Sequence, residues 1–130
     1  MDTGGTMSDP LAKALDHFRN PRNVGEVADP DGVGRVVPGH DGDDLTLTFK
    51  LDANHRIADV KFTTVGCVSS IAPTSALTEI VKGMTIDEAA RVTNEDVARY
   101  LEMPGQKAYG AALGRKALAL AIRNYQLRLP

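Results

Sequence analysis

Two short segments of this chain carry residue types that could do chemistry. The first is Pro38-Gly39-His40-Asp41-Gly42-Asp43-Asp44, where three carboxylates and an imidazole crowd a glycine-rich stretch. Carboxylate oxygens and neutral imidazole are ordinary metal ligands, so such a cluster can hold a cation. Asp and Gly also favour turns for local backbone reasons, and a solvated turn stands as the alternative reading. It is not an EF-hand loop, because the later glycine and the terminal bidentate Glu are missing. The second segment runs from Phe62 to Ile71 and contains Cys67, the only cysteine. It reads as a strand end, a bend at Gly66 and the start of a helix. Pro73 supports that geometry, since proline is tolerated in a helix's first turn and not in its interior. A thiol ahead of a helix N-terminus meets free backbone N–H groups and a positive dipole end, which favour thiolate. A buried small hydrophobe is the alternative for a lone cysteine.

The elements that must position these groups are legible from periodicity. Ser8 or Asp9 before Pro10 is a helix start signal, and Leu11, Leu15 and Phe18 recur at helical spacing up to Asn20-Pro21. His17 on that helix reads as a surface residue of an amphipathic face. A first strand is expected near residues 33–37. Leu45, Leu47, Phe49 and Leu51 alternate with polar residues as a strand with one buried face. Asp52-Ala53-Asn54-His55 makes a turn, with His55 exposed. Ile57, Val60 and Phe62 return antiparallel, with a bulge where the alternation slips at Ala58 and Asp59. Ala76, Leu77, Ile80, Val81 and Met84 form a helical stripe ending at Gly83. Thr85-Ile86-Asp87-Glu88 is a capping box, and Thr93-Asn94-Glu95-Asp96 resembles a second. A last helix is expected from near Gly105 to about Gln126, with Ala111, Leu118, Ile122 and Tyr125 on one stripe. Helix, three antiparallel strands, then helices is the α+β pattern of a small sheet covered on one face.

A chain of 130 residues, 42% hydrophobic and 25% charged, has the profile of one globular domain with an ordinary core. The expected organisation is a tail over residues 1–8 and a single domain over 9–130. No apolar run is long enough to span a bilayer, and the first residues lack the pattern of a secretory signal. One cysteine cannot form an internal disulfide, which makes a reducing cytoplasm the simpler expectation. A net charge of −2 gives no overall attraction to nucleic acid. The basic residues Arg115, Lys116, Arg123 and Arg128 are read as a solvated helix end. There is no GxSxG, P-loop, HExxH or GxGxxG motif.

The run Asp16-His17-Phe18-Arg19-Asn20-Pro21-Arg22-Asn23-Val24-Gly25 resembles the N-terminal motif of the NifU/IscU family of iron–sulfur cluster scaffolds. The match continues through Gly42-Asp43, Val65-Gly66-Cys67, Leu77 to Gly83 and Asp87-Glu88-Ala89. The resemblance implies an IscU/SufE-like α+β fold, with N-terminal and long C-terminal helices beside a three-stranded antiparallel sheet. It implies a non-enzymatic role in cluster assembly, with iron or an iron–sulfur cluster as cargo, or zinc in its place in a purified form. Cysteine desulfurase and other assembly proteins are the implied partners, with a homo-oligomer also open, and no nucleic acid or membrane. The family's ligand positions fall on Asp41, Cys67 and Gly110, with Asp43 and Tyr109 at the family's aspartate and histidine. The implied metal ligands here are therefore Asp41, Asp43 and Cys67, the last two being the kept family residues. Tyr109 and Gly110 replace the family's histidine and third cysteine, and Tyr109 is expected to pack across the pocket. Of the family's chaperone motif, Met103-Pro104-Gly105-Gln106-Lys107 keeps Pro104 and Lys107. Thiolate is the softer ligand that sulfide-bridged iron prefers, so a carboxylate-rich set is a departure. With both aspartates near, the thiol is expected to be ordinary or raised in pKa until a cation neutralises them. Two other functions stand beside metal binding: a persulfide acceptor using Cys67 alone, as in the similar SufE fold, and a partner-binding module without chemistry.

Overall fold

The computed structural model describes residues 12–37, 44–65, 70–103 and 111–128. Helix α1 spans Ala12–Arg19, and strands β1 (Gly32–Val36), β2 (Asp44–Leu51) and β3 (Ile57–Val65) follow. Then come helices α2 (Ile71–Val81), α3 (Ile86–Ala90), α4 (Asn94–Tyr100) and α5 (Ala111–Arg128). The strands form one antiparallel sheet in the order β1-β2-β3.

Period-two alternation builds the sheet's inner face. Leu45, Leu47 and Phe49 of β2 are fully buried, as are Ile57 and Val60 of β3. They pack with Ala76, Leu77 and Val81 of α2 and with Ala117, Leu118 and Ala121 of α5 in one core. The slip at Ala58 is a genuine irregularity: Lys50 pairs with Asp59, whereas Leu51 pairs with Ile57. The turn before it is held by Asp52, whose Oδ1 accepts from the backbone N–H groups of Asn54 and Arg56 at 2.8 and 3.0 Å. His55 takes φ +61° there and is exposed, as expected.

Helix α2 ends where Gly83 adopts φ +92°, a left-handed conformation that glycine reaches at no Cβ cost. The Gly83 N–H donates to Ile57 O and the Ile57 N–H to Met84 O, both at 2.8 Å, so the helix end is stitched to β3. Both capping boxes form, Thr85 with Glu88 and Thr93 with Asp96.

Two expectations need correction. The sheet is not bare on its outer face, because the segment after α1 crosses it. The Phe62 N–H donates to Asn23 O and the Gly25 N–H to Phe62 O, and the Val27 N–H then donates to Thr48 Oγ1 at 2.9 Å, which buries Thr48. Nor does α1 turn its apolar stripe inward. Leu15 and Phe18 are 39% and 43% exposed, while His17 is 1% exposed. The helix buries a polar residue because its neighbours on α2 and α4 supply polar partners.

Candidate functional site

Strand register decides what the sheet brings together at one end. Asp44, the first residue of β2, is paired with Val65, the last of β3, and Val36 of β1 lies opposite Leu45. The segments entering and leaving these strands therefore start from one edge of the sheet. His40, Asp41, Asp43, Cys67, Tyr109 and Gly110 lie outside the described residues. The residues that bracket them are placed.

Asp44, the third carboxylate of the acidic run, is committed elsewhere. The Arg35 Nε donates to both Asp44 carboxylate oxygens at 3.0 Å, and Nη2 bonds Oδ2 as well. That guanidinium holds the Asp44 carboxyl below the usual carboxylate range. Among the described residues no group of three or more His, Cys, Asp and Glu side chains is arranged to hold a metal ion.

α2 begins at Ile71, with Pro73 buried in its first turn, so the helix start inferred from that proline is in place. α5 begins at Ala111, and Ala111, Leu118 and Ile122 of its expected stripe are buried. The two helices touch near their starts. Gly114 of α5 stands against Thr74 of α2, where a Cβ on the glycine would lie 2.6 Å from Thr74 Oγ1. Helix α5 also lies directly on β1: a Cβ on Gly34 would be 2.0 Å from the backbone oxygen of Ala117.

With this arrangement in hand, similarity to known proteins becomes informative. The sequence profile described as NifU-like N terminal domain matches residues 11–129.

The chain belongs to the NifU-like N-terminal domain family.

A family relative, the iron–sulfur cluster assembly scaffold protein IscU 1 of Archaeoglobus fulgidus, is 46% identical over 114 residues, covering 87% of this chain and 74% of that one. The corresponding IscU of Haemophilus influenzae is 40% identical over 119 residues, covering 89% and 94%. In fold, the chain is similar to the crystal structure of a NifU-like protein (N-terminal) from Brucella abortus, with a TM-score of 0.72 and 21% identity over 95% of this chain and 99% of that one. The α+β architecture is thus that of the NifU-like domain.

The family motif from Asp16 to Gly25 turns out to be a clamp, which sequence reasoning missed. His17 Nδ1 lies 2.8 Å from Ser75 Oγ of α2, and the Arg22 N–H donates to the same oxygen at 2.8 Å. Ser75 Oγ thus joins the His17 ring to the Arg22 backbone, and the second ring nitrogen, Nε2, points the other way. That nitrogen faces Glu79 Oε1 at 3.5 Å, and the Tyr100 hydroxyl donates to the same oxygen at 2.7 Å. The Asn23 Nδ2 donates to Thr78 Oγ1 at 3.0 Å. Outside the pocket, Arg22 pairs with Asp16 at 2.7 Å. Burial pushes the His17 pKa down, the Arg22 cation adds to this, and Glu79 and Asp16 oppose it. The reading of His17 as a surface residue is therefore overturned. Its partner Ser75 lies 58 residues away, and nothing local could have revealed it. Of the expected basic helix end, Arg115 instead donates to Val92 O and Asn94 Oδ1, tying α5 to α4. Among the described residues no helix is long and apolar enough to cross a membrane.

Proposed function

We propose that this chain is an iron–sulfur cluster assembly scaffold that binds iron or a cluster as cargo through a reduced ligand set, Cys67 with Asp43 and Asp41. The observation that carries the reading is the pairing of Asp44 with Val65. In the sequence Asp43 immediately precedes the first of these partners, and Cys67 follows the second by two residues. Support comes from relatives named as cluster assembly scaffolds at 46% and 40% identity.

The chemistry follows from the donor set. Cys67 supplies the one soft ligand, and carboxylates supply hard oxygens that accept iron less readily from a sulfide-bridged cluster. Such a set suits loose holding and release of cargo better than permanent retention, in keeping with a scaffold and not a catalyst. A cysteine desulfurase is the partner chemistry that would deliver sulfur to Cys67.

Anaerobic reconstitution with ferrous iron and sulfide tests the proposal, followed by counts of bound iron and labile sulfide. Wild type should retain both, Cys67→Ala should lose most of both, and Asp43→Ala and Asp41→Ala should retain less iron. Equal retention by wild type and Cys67→Ala overturns the ligand assignment. In a separate incubation with a cysteine desulfurase and cysteine, transfer of the desulfurase persulfide's outer sulfur to the Cys67 thiolate, with the desulfurase thiolate leaving and no iron needed, would place sulfur transfer first.

A further inference from the structure

Strand β1 is the last on its side of the sheet, so one of its edges has no strand beside it. The hydrogen bonds show which of its residues face that edge. The Phe62 N–H and C=O bond Asn23 and Gly25, outside the ladder, and so point away from β2. Leu47, opposite Phe62, then turns its own backbone toward β1, where it meets Gly34. Backbone direction alternates along a strand, which leaves Val33 and Arg35 facing outward. Such an edge is a template for a further strand.

Helix α5 reaches around to this edge. The Asn124 Nδ2 donates to Val33 O at 2.8 Å, and the Arg128 Nη1 donates to Asp31 O at 3.0 Å and to Pro30 O at 3.4 Å. These bonds are exposed, and water would satisfy the carbonyls as well, so they add little to folding stability. What they change is availability. Among the described residues the outward Val33 and Arg35 N–H groups have no acceptor, whereas the carbonyls of Val33 and Asp31 are taken. The surroundings are apolar too: Val33 is 40% exposed, and Leu127, three residues after Asn124 and so on the same side of α5, is 70% exposed. We propose that Asn124 and Arg128 guard the β1 edge, and that the strand they keep off is β1 of a second copy of this chain. Antiparallel pairing of β1 with itself is two-fold and self-complementary, since both edges present the same outward residues. It would bring Val33 and Leu127 of each copy to the shared boundary.

The full chain is compared with the double variant Asn124→Ala/Arg128→Ala. Both are exposed helix positions, and alanine is the strongest helix former, so the fold should persist. Sedimentation equilibrium reads the mass, and amide hydrogen exchange reads Val33 and Arg35. In wild type those two amides should exchange unprotected, at a rate independent of protein concentration. In the double variant self-association should tighten at least about tenfold, the effect of freeing the edge carbonyls of both copies. Exchange at Val33 and Arg35 should then slow as concentration rises. Adding Val33→Lys, an edge charge of the kind that blunts strand pairing, should restore the wild-type mass. A double variant that matches wild type in mass and exchange overturns the proposal. So does protection of these amides in wild type that grows with concentration. Association without slowed exchange at Val33 and Arg35, or association that survives Val33→Lys, puts the contact on another surface and overturns it as well. Should the double variant lose its fold, Asn124→Ala alone is read by the same two measurements and judged by the same outcomes.

Discussion

Replacing His17 by Ala should cost this fold a measurable share of its stability, and the cost should depend on pH. The imidazole is 1% exposed and meets Tyr100 edge-on, with ring centres 6.0 Å apart. Removing it leaves a cavity and takes a partner from Ser75 Oγ, together about 3 kcal/mol. For a domain of this size that corresponds to a fall in melting temperature of roughly 10 °C. The folded-state pKa of His17 is lowered, by burial first and by Arg22 second. The unfolded chain, with an imidazole pKa of about 6.5, therefore binds the proton more tightly than the folded one. The contribution of His17 is complete above that value and declines as pH falls from about 6.5 toward the lower folded pKa, by at most about 1.4 kcal/mol per pH unit. Lys13, Asp16, Arg22, Glu79 and Tyr100 surround the ring and remain in the variant. The gap in stability between wild type and His17→Ala should narrow from about pH 7.5 to about pH 5.5 in urea titrations, where the imidazole passes its reference pKa. A gap that stays constant or widens on acidification would refute a neutral, buried imidazole.

Gly34→Ala places a Cβ 2.0 Å from Ala117 O and 2.6 Å from Ala121 N, backbone atoms that cannot swing aside. Overpacking of this kind should destabilise by at least about 3 kcal/mol, read as a lower urea midpoint with an unchanged slope. An unchanged midpoint would mean that α5 does not rest on β1 in this way. Arg35→Gln removes the guanidinium that holds the Asp44 carboxyl down, so the Asp44 pKa should rise toward its ordinary value in an NMR titration. Because that pKa is depressed in the fold, the pair adds stability above the unfolded value and loses it as pH falls through the folded one. Arg35→Gln should weaken that acid dependence, and an Asp44 resonance that titrates identically in both proteins refutes the pairing.

Local spacing alone settled much of this architecture. The boxes Thr85/Glu88 and Thr93/Asp96 join residues three apart, so four letters of sequence contain both partners. The alternation of β2, the slip at Ala58 and the helix start before Pro73 are likewise written within a few residues. The run from Asp16 to Gly25 was legible as a family motif, in keeping with the family match over residues 11–129.

Tertiary structure decided what those segments meet. Helical spacing marks Leu15 and Phe18 as a stripe, yet it cannot say which face docks. The choice went to His17 because Ser75, Glu79 and Tyr100 form a polar socket on helices far along the chain. Composition grouped Asp44 with the other carboxylates of the acidic run, and only the antiparallel pairing of Arg35 with Thr46 shows that a guanidinium holds that carboxylate. By propensity alone, a glycine such as Gly34 or Gly114 weakens the strand or helix that holds it. Only the approach of α5 to β1 and α2 shows that a missing Cβ is what lets the three elements close, because the atoms that exclude a side chain come from distant parts of the sequence.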